Sequence, residues 1–124
     1  MELRTIKTLT IGLGIVLTSC YYDVEEELYP PTECLTANMS LQVNIVPILE
    51  RNCYVCHSAA AGPNNGNVIL EGYSELIKYV NSGQLVGAIN HASGFSAMPQ
   101  NAAKLINCDI AKIEQWITDG APNN

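Results

Sequence analysis

Cys53-Tyr54-Val55-Cys56-His57 is the stretch on which the reading of this chain turns. Two cysteines three positions apart, with a histidine directly after the second, fit the C-x-x-C-H pattern of c-type haem attachment. On one helical turn the two thiols reach two vinyl groups along one porphyrin edge, and each adds across a vinyl to form a thioether. The next residue then turns its imidazole under the iron, which makes His57 the expected ligand on one face. Three other chemistries use the same residues. A thioredoxin-like dithiol needs a βαβ setting, and the run before Cys53, Asn44 to Asn52, reads as helix. A zinc site needs four ligands, usually as two separated pairs, but Cys34, Cys108 and His91 form no second C-x-x-C. A Cys53–Cys56 disulfide would close a short, strained loop.

Outward from this motif, the chain divides into three parts. Residues 1–19 carry a basic start, Arg4 and Lys7, then an apolar run from Thr8 to Leu17. That run is too short to span a bilayer and suits the h-region of a signal peptide. Leu17-Thr18-Ser19-Cys20 resembles the bacterial lipobox, which implies lipidation at Cys20 and a mature chain anchored to a membrane without crossing it. Burial of acyl methylenes at about 0.8 kcal/mol each gives such an anchor its hold. An ordinary signal peptide with a chance cysteine is the alternative. Residues 20–33 are polar, hold five acids and no bases, and include Pro30-Pro31. They read as a tether, reaching roughly 45 Å when extended. Acidic residues just after a lipidated cysteine also resemble surface-export signals of some diderm bacteria.

Residues 34–124 form the expected domain, with six acids and four bases. It offers no basic patch, so no nucleic-acid partner is expected. A domain this small usually needs a staple or a cofactor. Export to an oxidising compartment suits both haem attachment and disulfides. With Cys20 assigned to lipid and Cys53 and Cys56 to haem, Cys34 and Cys108 remain, and an even remainder suggests a disulfide. Unstrained, it would stabilise by roughly 4 kcal/mol on the chain-entropy model; two free thiols are the alternative.

Within the domain, Asn44 is placed to cap a helix from Ile45, with Pro47 in its first turn. Ile45, Ile48, Leu49 and Asn52 make one stripe that leads into Cys53. Ser58 to Asn67 reads as a loop, and Val68 to Leu70 as a brief extended piece. Ser74–Asn81 and Gln84–Asn90 read as short helices, with Gly83 between them. Asp109 is a good N-cap for a last helix carrying Ile110, Ile113, Trp116 and Ile117 on its apolar side.

Helix, then C-x-x-C-H, then Met98-Pro99 in a loop before a closing helix is similar to the order in small bacterial class I cytochromes c. The resemblance spans residues 34–124. It implies an all-α domain wrapped around one covalent haem c. It implies Met98 as the second iron ligand opposite His57, and a closing helix that crosses the helix leading into the motif. Gly62-Pro63 resembles a Gly-Pro pair whose proline carbonyl accepts the second N–H of the ligating histidine; a plain turn is the alternative. Methionine as an axial ligand raises the potential. The implied role is electron transfer, not catalysis. The molecule would be a lipid-anchored monomer exchanging electrons with redox proteins of the cell envelope, at the periplasmic face, the outer membrane or the cell surface. The alternative is a haem enzyme or a gas or peroxide sensor with an open distal site, or a bis-histidine site using His91.

Overall fold

Pro47 decides how the first helix begins. A proline ring inside a regular α-helix clashes with the carbonyl four residues back. A computed structural model describes residues 33–124, and in it the helix opens with a π turn, Leu41–Ile45, that runs into α1 (Val46–Asn52). Pro47 is the second residue of α1, directly after that turn. The start therefore lies at Leu41 and not at Ile45. Ser40 is the cap, its Oγ accepting from Val43 N–H at 3.4 Å. Asn44 acts in reverse: its Oδ1 accepts the Ser40 N–H at 2.9 Å. Two further first-turn donors, the N–H groups of Leu41 and Gln42, are satisfied by Oδ1 and the carbonyl of Asn124.

After α1 the chain coils onward through α2 (Tyr54–His57) and a 3-10 turn, Gly62–Asn64. Val68 to Leu70 forms no strand, and no strand occurs among the described residues. Two short helices follow, α3 (Tyr73–Asn81) and α4 (Gln84–Ile89), joined through Ser82 and Gly83. The last helix is α5 (Asn107–Thr118). The described fold is thus all-α, as expected.

Leu41, Ile45 and Leu49 are fully buried with Leu76 of α3, Ile89 of α4, and Ile113 and Trp116 of α5. Each of these helices is too short to be stable alone, so burial of these faces against one another holds them. The closing helix packs against the π turn at the head of the first helix. The Trp116 indole N–H donates to the Pro122 carbonyl at 3.0 Å, so the largest core side chain leaves no donor unsatisfied.

Asp109 departs from its expected place. Ile106 occupies the cap position of α5 without a side-chain bond, and Asp109 lies buried inside the first turn. Its Oδ2 faces Arg51 at 3.5 Å, which links α1 to α5. One residue earlier, Cys108 is bonded to Cys34, with 5.6 Å between the Cα atoms. The bond fastens the segment before the first helix to the first turn of α5, and the free-thiol alternative does not hold. The expected signal segment, the expected tether up to residue 32 and Cys20, the expected lipidation site, lie outside the described residues. Among the described residues no helix is long and apolar enough to cross a membrane.

Candidate haem site

The motif sits where α1 gives way to α2. Cys53 takes a backbone conformation outside the regular helix (φ −125°, ψ −42°) and joins the two. The coil nevertheless continues, because Cys53 N–H donates to Leu49 and the N–H groups of Cys56 and His57 both donate to the Cys53 carbonyl. Cys53, Cys56 and His57 thereby come to one side of a single turn, and all three line a cavity of about 830 Å³. Met98 reaches the same cavity from the loop before α5. A volume of this order holds a ligand of several hundred daltons. The other walls come from residues 65–70, from Tyr79 of α3, from α4 and from residues 94–100. Among the described residues no Asp, Glu, Lys or Arg lines the cavity.

His57 is oriented by its own main-chain surroundings. Its Nδ1 lies 3.0 Å from the Val68 carbonyl. A carbonyl only accepts, so Nδ1 carries the proton and Nε2 keeps its lone pair for a metal. The carbonyl that fixes the tautomer thus belongs to Val68. The expected acceptor, Pro63, sits in an exposed turn instead. The next bond, Leu70 N–H to the His57 carbonyl at 2.8 Å, holds residues 68–70 alongside the histidine. Gly62 makes this approach possible. A Cβ on Gly62 would stand 2.6 Å from the Val68 oxygen and 2.7 Å from Ile69 Cγ1.

Met98 is held by its main chain on both sides. Its N–H donates to the Ala88 carbonyl at 3.0 Å, and its own carbonyl accepts from His91 Nε2 at 3.0 Å. The Met98–Pro99 peptide bond is cis. Although His91 is near in sequence, its exposed ring is not part of the cavity wall. Sequence reasoning missed Val68 and this use of His91, and it marked Gly62 only as the partner of Pro63. Val68 acts through a main-chain oxygen, which leaves no motif.

Cys53 and Cys56 are not bonded to each other. Burial pushes the Cys53 thiol up to about 11. A redox dithiol works through a thiolate whose pKa is lowered, by a helix N-terminus or a cation, and Cys53 has the opposite environment. In the haem-free Cys56→Ser variant, the alkylation rate at Cys53 should therefore climb about tenfold per pH unit and level off near pH 11. A plateau near neutrality would mark a reactive dithiol cysteine instead. For zinc, no group of three His, Cys, Asp or Glu side chains among the described residues is arranged to hold a metal. Comparison with protein-family models, curated proteins and solved structures finds no match.

Proposed function

We propose that this chain is a c-type cytochrome, held to a membrane through lipidated Cys20, that passes single electrons between redox proteins of the cell envelope. The observation that carries this reading is the convergence of Cys53, Cys56, His57 and Met98 on one uncharged cavity of about 830 Å³. The donor set suits haem c. Two thiols stand ready for thioether bonds, His57 presents an unprotonated Nε2, and Met98 offers a neutral, soft thioether. Bound there, haem supplies a one-electron ferric/ferrous couple whose potential methionine ligation raises.

What the chain's own residues do follows from their placement. Val68 fixes the His57 tautomer and strengthens it as a donor. The cavity wall carries no charge of its own, so haem carboxylates would meet neutral amides, among them Gln84 and Gln100, or solvent. With His57 and Met98 both holding the iron, no position would remain on it for oxygen or peroxide. The haem-enzyme alternative finds little support. Arg51 is engaged with Asp109, and among the described residues Tyr79 is the one titratable side chain that lines the cavity apart from the motif's own.

The test is the visible spectrum of protein matured in a host that attaches c-type haem, oxidised and reduced, for wild type and Met98→Ala. Wild type should keep its haem through acid-acetone extraction and show the weak long-wavelength ferric band of methionine ligation. Met98→Ala should keep the haem, lose that band and bind added imidazole or cyanide readily. A wild type without the band would transfer the reading to a bis-histidine or open site; a colourless wild type would end the cytochrome reading.

A further inference from the structure

We propose that His91 is a positioning residue for Met98, a clamp on the ligand loop and not an iron ligand; this rests on the reading of Met98 as the axial ligand. Residues 91–98 leave α4 and return to it, and the bonds at their two ends lock together. The Ala88 carbonyl accepts from both His91 N–H (3.1 Å) and Met98 N–H (3.0 Å), using both of its lone pairs. Between the same two residues runs the bond from the His91 ring to the Met98 carbonyl. The carbonyl only accepts, so His91 Nε2 carries the proton.

The backbone of His91 is committed to this arrangement. Its φ is +53°, a left-handed conformation that L residues seldom adopt. Farther along the loop, Ala92 N–H donates to the Gly87 carbonyl at 2.9 Å. Phe95 lays its ring where a Cβ on Gly87 would stand, so the loop lies directly on α4. Both peptide groups that flank the Met98 Cα are thereby held, one by Ala88 and one by His91. Fixing them fixes the direction in which the side chain leaves the main chain, toward the cavity that Met98 lines. To ligate iron itself, His91 would have to turn into a cavity that its ring does not line.

The experiment uses haem-loaded ferric protein: wild type, His91→Gly and His91→Gln. Glycine accepts the left-handed backbone freely, so His91→Gly removes the ring N–H without adding strain. Glutamine can place its amide N–H where Nε2 stood. The readouts are the methionine-ligation band, the rate at which added imidazole displaces Met98, and global unfolding by circular dichroism. In His91→Gly, imidazole should displace Met98 about tenfold faster, the order expected for loss of one hydrogen bond, with global unfolding unchanged. His91→Gln should recover most of the wild-type rate. Nitrogen chemical shifts of the wild-type holoprotein should show His91 protonated at Nε2, which keeps the proposal testable if a variant fails to fold. The clamp is overturned if His91→Gly exchanges at the wild-type rate while wild type shows the methionine band, or if the His91 proton lies on Nδ1. If wild type lacks the band and Met98→Ala leaves its spectrum unchanged, the Met98 assignment has failed, and the clamp fails with it.

Discussion

Serine at both Cys53 and Cys56 is expected to abolish covalent haem completely. On a denaturing gel the wild-type band stains for haem, and the double variant at the same loading does not. On the proposed reading the thioethers are the covalent links between chain and porphyrin, and a hydroxyl does not replace a thiol in that addition. Each single variant should retain haem through its remaining thioether, with a shifted reduced spectrum. The loss also reaches the fold. The cavity of about 830 Å³ lies among Leu70, Leu85, Ile89 and Leu105, side chains otherwise buried. Without a tethered ligand the cavity between them stays unfilled, and the packing that haem would add is lost. A deficit of about 2 kcal/mol already lowers Tm by roughly 8–16 °C in a domain of this size. Melting of the double variant should fall at least that far below wild type. Haem staining that survives in the double variant would refute attachment through these cysteines.

The second large effect is expected at Trp116. It is fully buried, and its indole N–H is satisfied by Pro122. Truncation to alanine removes the largest of the fully buried side chains and costs about 3–5 kcal/mol. That is a large share of the roughly 5–15 kcal/mol by which domains are stable. Trp116→Phe keeps most of the ring and loses the N–H, so it should cost about 1–2 kcal/mol. Urea unfolding of the holoproteins, followed by far-ultraviolet circular dichroism, measures both. A Trp116→Ala variant within about 1 kcal/mol of wild type would show that this residue does not hold the closing helix to the first.

The helices themselves were largely legible from side-chain pattern. Ile45, Ile48 and Leu49 repeat at helical spacing and are buried. The helices around Leu76, Leu85 and Ile113 follow the same rule, because the period of apolar residues is local information. Helix starts were less legible. The first one depends on the π turn before Pro47 and on Asn124, about eighty residues away in sequence. Asp109 has the composition of a cap, but the helix begins at Asn107, which places Asp109 inside the first turn, where it faces Arg51 of α1.

The same division holds at the site. By itself the sequence singled out the side chains proposed to hold haem, which line one cavity: the thiols of Cys53 and Cys56, the imidazole of His57 and the thioether of Met98. These identities are written in the residues, and the spacing of the first three confines them to one turn. Cysteine count also left Cys34 and Cys108 as partners, and they are bonded. Tertiary structure alone decided that Val68 fixes the tautomer of His57, that Gly62 lets it approach, and that His91 turns to the Met98 carbonyl. The physical reason is that these roles belong to main-chain oxygens and to empty space. Every residue has a carbonyl, so its identity does not mark which one will accept. Only the path of the folded backbone brings a particular oxygen to within 3.0 Å of a particular ring nitrogen.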